Sequence, residues 1–339
     1  MERNGNDEIK NRARLFKMLA SADGKPVSGS FIASCLGCSR QAVFKMVSSL
    51  RNEGLCIDSL RKGYALRDLG SSDIMSPTLM ESLLEGNPVF HKCLCFGETE
   101  STQAALKRIA REAPDASGVV AVSDRQSAGR GRVGRTWWSG AGKDLTFSVL
   151  TRPKLRPGEV QLLNLAAGIA VSGVMRSYYN NIDAKIKWPN DVMVRDRKVC
   201  GILSEASGEP DRIYFAVTGI GINVNSAMSD FPDELRESAA SLAAECGSHV
   251  CRPYLLARVL GRFAELIMTM EAAGGRDALL RVYRDSCSTL GREVRVICDG
   301  EEFRGTARDV TDQGALVVDI GGREAVFAAA DVHHLRLAV

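Results

Sequence analysis

The sequence predicts an α+β protein of three modules: a helical module with a small β-wing at the amino end, a central α/β domain, and a small β-barrel at the carboxyl end. Three observations indicate this division. Residues 1 to 70 carry 12 Lys and Arg against 7 Asp and Glu, a net charge of +5, while the rest carries 32 against 34. Apolar residues recur at helical spacing in that basic segment, and short β-rich runs follow one another in the tail. A chain of 339 residues is long enough for two or three domains.

The composition is that of a soluble globular protein, 45% hydrophobic and 25% charged. The longest apolar run, LLNLAAGIAVSGVM from Leu162 to Met175, is expected to be too short and too interrupted to span a bilayer. We therefore expect a cytoplasmic protein with no membrane partner. Ten scattered cysteines fit free thiols in that compartment, since Cys35/Cys38 and Cys93/Cys95 lack the second pair that a zinc site needs.

The amino-terminal segment has the spacing of a helix-turn-helix. A first helix presents apolar residues from Ile9 to Leu19 on one side and ends at the turn-forming DGKP. A second short helix runs through Ser28 to Gly37. Ser39 is a natural N-cap for a third helix, in which Val43, Met46, Val47 and Leu50 share one face.

The third helix offers three donors near its start, Arg40, Gln41 and Lys45, which suit phosphates and base edges in a DNA major groove. RKGYALRD, from Arg61 to Asp68, is typical of a β-wing. These features predict a winged helix-turn-helix over residues 1 to 70. The alternative is a small helical domain whose basic face is simply solvated.

GRGRVGRTWWSG, from Gly129 to Gly140, contains the spacing G-x-G-x-x-G but does not fit a dinucleotide fold. GVVAVS before it supplies a strand, yet a second strand, LTFSVL, follows where a helix should open, and no acid stands between Asp144 and Glu159. A phosphate-binding P-loop is excluded as well, because Lys143 is followed by Asp144 and position 137 is not glycine.

A loop of this composition between two strands suits an anionic ligand. Glycines allow the backbone N–H groups to approach an anion closely, and Arg130, Arg132 and Arg135 add forked, charge-assisted donors. The alternative is a flexible basic surface loop, which does not explain Trp137 and Trp138, two of the three tryptophans in the chain.

Three further motifs accompany this loop: KWPNDVMV from Lys187, KVCGILSE from Lys198 and TGIGINVN from Thr218. Singly, each could be an ordinary strand with its turn. Together with SAGRGRVGRTWWS they closely resemble the biotin protein ligase family, from about Phe96 to the carboxyl terminus. The amino-terminal helix-turn-helix resembles that of the bifunctional members that also repress biotin genes. The resemblance implies a central ligase domain with a mixed sheet.

The family's reaction joins two anions. Biotin carboxylate attacks the α-phosphate of ATP to give biotinyl-adenylate and pyrophosphate, and a lysine of a biotin carboxyl carrier domain then takes the biotinyl group. Cationic donors must offset the repulsion, with Mg²⁺ sharing the work. The resemblance implies that Lys187 bridges carboxylate and phosphate, and that Lys187 and Arg132 are catalytic. It places the following residues around biotin and adenylate: Ser101, Thr102, Gln103, Gln126, Arg130, Gly131, Arg132 and Lys187.

The same resemblance implies an adenine side of the site. Trp137 would form its aromatic wall, Asn223 would make a polar contact to the nucleotide, and Gly219 and Gly221 would let the backbone lie close by. Asp191 has two possible roles, helping to place magnesium or capping the turn after Pro189. Glu237 to Cys246, where some relatives carry an aromatic residue over the nucleotide, has mainly small side chains.

The tail consists of β-rich runs separated by Asp-Gly and Gly-Gly turns, which predicts a small SH3-like barrel from about Gly291. His333 and His334 are adjacent, so on a strand they point to opposite faces and are poorly placed to be paired metal ligands. Helices are expected over Pro253 to Ala273 and Arg276 to Ser286. The predicted modules are therefore residues 1–70, 76–288 and 291–339.

Two rival functions remain open at this point. A lipoate ligase shares the central fold but normally lacks the KWPND and GRGRxG pair in this form. A biotin-sensing repressor without catalysis is opposed by the intact Lys187 and Arg132. The helix-turn-helix predicts operator DNA as a partner. Because one helix-turn-helix covers only a half-site, we also expect a homodimer that binds DNA and is strengthened when ligand is bound.

Overall fold

The computed structural model describes residues 2–67 and 73–335, with side chains described from residue 8 onward. It separates into two compact units, Met1–Cys95 with Cys251–Ala257 and Phe96–Val250 with Arg258–Val339. Asp68, the last residue of the predicted wing, lies outside the described residues, as do the predicted module ends at 1, 70 and 339. The three-module division at 1–70, 76–288 and 291–339 stays a prediction.

The first unit contains the predicted helix-turn-helix. Its elements are α1 Glu2–Ser21, α2 Gly29–Leu36, α3 Arg40–Asn52, β1 Ile57–Leu60, β2 Gly63–Leu66 and α4 Pro77–Leu84. Ser28 and Ser39 cap α2 and α3, each accepting a backbone N–H at 3.1 Å. Gly37 ends α2 with φ +63°, a conformation that glycine adopts without strain. The strands β1 and β2 pair antiparallel as the wing.

The inner face of this unit is apolar and continuous. The four residues predicted to share one face of α3, from Val43 to Leu50, are buried with Leu15 and Leu19 of α1. Because these residues return every three or four positions, burying them fixes which side of α3 faces outward. The predicted winged helix-turn-helix is therefore confirmed.

The middle of the chain builds a seven-stranded sheet flanked by helices. Its elements are β3 Lys92–Thr99, α5 Thr102–Glu112, β4 Val119–Gln126, β5 Leu145–Thr151, α6 Gln161–Tyr178, β6 Ala184–Lys187, β7 Asp191–Val194, β8 Arg197–Glu209, β9 Arg212–Ile222, α7 Leu242–Cys246, α8 Arg252–Glu271 and α9 Gly275–Ser286. The strand order is β3-β4-β5-β9-β8-β7-β6. The ladders from β4 to β6 are antiparallel, whereas β3 reaches β4 through α5, the crossover that parallel strands require.

The segment around helix α6 corrects one expectation. The apolar run was expected to be too short to span a bilayer, but Pro157–Tyr178, which comprises α6 and the helical turn before it, is long and apolar enough for that by length and composition. In the protein, 78% of its apolar window is buried. The segment is therefore apolar because α6 is a helix of the core that packs against the sheet.

The tail forms a five-stranded antiparallel sheet in the order β13-β12-β11-β10-β14. Its strands are β10 Glu293–Cys298, β11 Glu301–Val310, β12 Leu316–Ile320, β13 Arg323–Phe327 and β14 Asp331–His334. The two helices predicted before it, α8 and α9, are also present. The α+β fold class, with a helix-turn-helix, a mixed-sheet domain and a carboxyl-terminal β module, is confirmed.

Candidate active site

A cavity of about 450 Å³ opens in the second unit, a size that suits a small organic ligand. Strands of the large sheet, the arginine-containing loop and strand β14 form its wall. All twelve residues predicted for the ligand site line it: Ser101, Thr102, Gln103, Gln126, Arg130, Gly131, Arg132, Trp137, Lys187, Gly219, Gly221 and Asn223. The roles assigned to them stay predictions.

The start of helix α5 forms one end of the cavity. Ser101 is the N-cap residue, but its hydroxyl makes no cap hydrogen bond. Gln126 Oε1 accepts from the first N–H of the helix, Thr102 N, at 2.9 Å. Gln103 donates to the Leu203 carbonyl at 3.0 Å and lies on Gly219, where an added Cβ would stand 2.8 Å from Gln103 Cδ. The arrangement leaves the Ser101 hydroxyl and the first turn of α5 to a polar or anionic ligand group.

The arginine loop is a short hairpin that closes on itself. Gly131 N donates to the Arg135 carbonyl at 2.7 Å, and Trp137 N donates to the Gly129 carbonyl at 3.0 Å. Val133 at its tip is 78% exposed, with φ +53°. The loop therefore has a defined shape in which Arg132 points inward from the tip.

Two arginines of this loop reach strand β14. Arg132 donates to the Ala330 carbonyl at 3.2 Å, and Arg135 forms an ion pair with Asp331. Burial lowers the pKa of the Arg132 guanidinium, although Asp331 and Asp191 oppose the shift. A partly desolvated guanidinium in a cavity gains most from an anion that enters beside it.

Trp137 rests on a pair of glycines in the sheet. Gly201 and Gly221 are register partners in β8 and β9, and a Cβ on either would stand within 2.8 Å of the indole ring. Lys198 Nζ lies 5.6 Å from the ring centroid, a cation–π distance. Within the described residues the buried indole N–H has no hydrogen-bond partner. Glycine is thus required here by the ring itself and not by backbone conformation.

Lys187 ends strand β6, and its neighbours hold it in place. Trp188 N donates to Thr289 Oγ1 at 3.0 Å, its indole N–H donates to the Gly314 carbonyl at 2.9 Å, and Asn190 donates to the Ile202 carbonyl at 2.9 Å. In the described part of the chain, no carboxylate forms an ion pair with Lys187. Burial lowers the pKa of its ammonium, with Asp191 opposing the shift and Lys198 adding to it. The result is a partly buried cation with no partner of its own.

Asp191 lies across the hairpin from Lys187, as its register partner. Its Oδ1 forms an ion pair with Lys198 Nζ at 2.6 Å. Of the two roles left open, capping of the turn has no hydrogen bond to support it among the described residues. Mg²⁺ commonly binds through one or two carboxylates together with substrate phosphates, so Asp191 in this cavity fits such an ion.

Asn223 has a structural use that the sequence did not indicate. Its amide nitrogen donates to the carbonyls of Lys198 at 3.3 Å and Ala240 at 3.1 Å, and the residue is buried. The amide N–H groups of Asn223 therefore hold Lys198 of β8 and the segment that contains Ala240 together. Only the Oδ1 oxygen is left for the predicted contact to a nucleotide.

Several lining residues were missed by sequence reasoning. Phe231 lies at the cavity with Trp138, their ring centroids 5.0 Å apart, and it precedes the small-residue segment 237–246 in which no aromatic cover was found. Asp331 and His333 come from the tail. His333 faces the cavity, whereas His334 Nε2 lies 3.0 Å from Thr289 Oγ1. Only tertiary contact brings the tail residues to this site.

The predicted DNA-contacting residues lie in the other unit. Arg40, Gln41 and Lys45 are all exposed on the face of α3 opposite its buried residues. They are brought together on one surface, as expected. Ser39 caps the helix directly before Arg40, so the start of α3 is fixed where these residues stand.

Comparison with protein families gives three matches along the chain. The Biotin/lipoate A/B protein ligase family matches residues 96–223, the Biotin protein ligase C terminal domain matches residues 289–335, and an HTH domain matches residues 11–65. The three matches follow the order of the helix-turn-helix, the cavity and the β module.

Relatives with these features are known. The chain is 32% identical over 315 residues to the bifunctional ligase/repressor BirA of Bacillus subtilis, covering 91% of this chain and 94% of the relative. It is 35% identical to the biotin--[acetyl-CoA-carboxylase] ligase of Mycobacterium tuberculosis, over 76% of this chain and 95% of the relative. The biotin protein ligase of Aquifex aeolicus in complex with biotin and ATP is similar in structure, with a TM-score of 0.62, 28% identity, 73% of this chain and 100% of that chain covered.

Proposed function

The chain belongs to the biotin protein ligase family, in its branch of bifunctional ligase/repressors, and on that premise we propose how its residues carry out the reaction. It is a biotin protein ligase with a helix-turn-helix repressor domain. The observation that carries the mechanism is Lys187, a partly buried ammonium with a lowered pKa and no ion-pair partner in the described residues, in the same cavity as Arg132.

The first step joins biotin and ATP. A carboxylate oxygen of biotin attacks the α-phosphorus, the bond to the bridging oxygen breaks, and pyrophosphate leaves. Lys187 lies between the two anions and offsets their repulsion as the reaction brings them together, and Arg132 donates to the phosphate oxygens. Both cations are partly desolvated, so their interaction with the developing charge is stronger than it would be in water.

Each end of the cavity has a proposed ligand. Ser101, Thr102 and Gln103 at the start of α5, with Gln126, bind the polar ring of biotin. Trp137, held on the glycine pair, forms the wall for adenine, and Phe231 with Trp138 closes the same side in place of the aromatic residue absent from 237–246. When bound, Mg²⁺ neutralises phosphate charge, and Asp191 is the residue we propose to hold it.

The second step transfers biotin to protein. The amine of a lysine on a biotin carboxyl carrier domain attacks the acyl carbon of biotinyl-adenylate, and AMP leaves. The arginine loop retains the adenylate until the carrier arrives, because Arg132 and the loop backbone contact its phosphate. We propose that the reaction takes place in the cytoplasm.

The experiment supplies purified protein with ATP and Mg²⁺ and with either biotin plus a carrier domain or lipoate plus a lipoyl domain. We expect one biotin on the acceptor lysine, no product when that lysine is arginine, and no lipoylation. Lipoylation without biotinylation would make the protein a lipoate ligase. If the protein binds biotin and ATP but forms no product on either carrier, it would be a sensor without catalysis.

For the repressor activity, we propose a homodimer that biotinyl-adenylate strengthens. One helix-turn-helix covers a half-site, so operator recognition normally requires two copies about one helical turn apart or a multiple of that. Sedimentation with and without biotin plus ATP tests the dimer, and binding to DNA upstream of biotin-synthesis genes tests the operator. A monomer in both conditions, or equal affinity for unrelated DNA, would contradict this proposal.

A further inference from the structure

The outer face of helix α3 carries an apolar residue among its polar ones. Phe44 is 56% exposed, and its neighbours on the exposed side are Arg40, Gln41 and Lys45. The orientation of α3 is fixed by its opposite face, because Val43 and Val47 are fully buried in the core of the unit. Phe44 therefore cannot turn inward without removing α3 from that core.

The neighbours of Phe44 indicate what covers it. Arg40 and Lys45 suit phosphates, and Gln41 can donate to and accept from a base edge. Ser48, one turn further on, directs its hydroxyl to the Phe44 carbonyl at 3.0 Å and offers no donor to a ligand there. The surface is thus basic and polar at the start of the helix, with one aromatic ring in the first two turns, where a recognition helix contacts base edges.

We propose that Phe44 reads thymine, by packing its ring against the 5-methyl group in the major groove. Thymine is the base that presents a methyl group there, and apolar side chains are its usual partners. This inference rests on the proposed repressor activity and adds a sequence preference to it. Operator half-sites carry a thymine at the position that Phe44 covers, beside the bases that Gln41 and Arg40 contact.

The chain offers a matched control. Phe31 on α2 is 57% exposed, nearly the same fraction as Phe44, but it lies on the other helix of the pair. Replacing either ring removes the same exposed apolar surface from the free protein. Only the replacement of Phe44 is expected to change the base preference of the protein.

The test uses DNA in which thymine is replaced by deoxyuridine, which lacks only the methyl group. Duplexes are first selected from a randomised library by the full-length protein with biotin, ATP and Mg²⁺. Each thymine is then replaced in turn. We expect about a fourfold loss of affinity for each methyl group that Phe44 contacts, since that is the effect of burying one such group.

The variants decide the assignment. Phe44→Ala should bind thymine and uracil duplexes within about twofold of each other, whereas Phe31→Ala should keep the parent's discrimination. If Phe44→Ala binds too weakly, the comparison is made at lower salt, where phosphate contacts raise the overall affinity. Both variants should keep full biotin ligase activity and melt cooperatively.

Two results would overturn the proposal: a parent protein that tolerates uracil at every position, or a Phe44→Ala variant that still discriminates. Failure of the repressor activity itself looks different. In that case the selection enriches no sequence at all, and the proposal for Phe44 falls with it.

Discussion

Substitution of Gly221 tests whether the sheet positions Trp137 for the nucleotide. In Gly221→Ala the new Cβ would stand 2.5 Å from the indole Nε1 and 2.6 Å from Cζ2, whereas carbon atoms in contact are normally about 3.5 to 4.0 Å apart. The ring must therefore move by roughly 1 Å. Such overpacking typically costs about 1 to 3 kcal/mol.

If that cost falls on the ATP complex, KM for ATP rises roughly five- to hundredfold, at about 1.4 kcal/mol per factor of ten. KM for biotin should change by less than about twofold, because the proposed biotin contacts are made by other side chains, those at the start of α5 and Gln126, and not by the indole. Initial rates of adenylate synthesis, measured with ATP and with biotin varied separately, give the two KM values.

Gly173→Ala is the matched control, since a Cβ there meets nothing within 4 Å and the residue lies inside helix α6. It should leave both KM values unchanged and stabilise the protein by up to about 1 kcal/mol. Thermal melting checks that both variants fold. A folded Gly221→Ala variant that keeps the parent's KM for ATP, or in which both KM values rise together, would contradict this role of Trp137.

Three further predictions concern the cations. Lys187→Ala should nearly abolish adenylate synthesis without loss of cooperative melting. The control, Lys185→Ala, lies in the same strand but is paired with Asp183 at 3.2 Å, and its rate should stay within about threefold of the parent's. Comparable rates for the two variants would remove Lys187 from the mechanism. Burial lowers the pKa of Lys187 below the ordinary lysine value of 10.5, and the charged form is needed, so synthesis should already decline before the pH reaches 10.5. A pH–rate profile that stays flat up to pH 10.5 would contradict this. Arg132→Ala should speed the release of biotinyl-adenylate by a larger factor than it slows adenylate synthesis, so that bystander proteins become biotinylated. Labelling of bystander proteins no greater than with the parent would exclude a retention role for Arg132.

The local parts of the fold could be predicted because short-range chemistry determines them. Ser39 accepts the N–H of Ala42 three residues on, so the start of α3 is encoded within one turn. The family resemblance placed Lys187, Arg132 and the glycines of β9, and all of them line the cavity. The requirement for Gly221 could not be derived, since it depends on where Trp137 packs.

The remaining features depend on distant partners. Arg135 pairs with Asp331, 196 residues away, and no local pattern in the tail marks that carboxylate. The family resemblance implied that Asn223 contacts the nucleotide, but the Lys198 and Ala240 carbonyls occupy its amide donors. The apolar run was expected to be too interrupted to span a bilayer, but a polar residue within it, Asn164, is buried in the core.

Biotin-dependent exchange of labelled pyrophosphate into ATP tests the central claim most directly, because it requires a reversible adenylate at one site and needs no acceptor protein. We expect exchange with biotin, no exchange with lipoate or without an acid, and near loss of exchange in Lys187→Ala. Exchange that proceeds with lipoate and not with biotin, or that survives in Lys187→Ala, would contradict it.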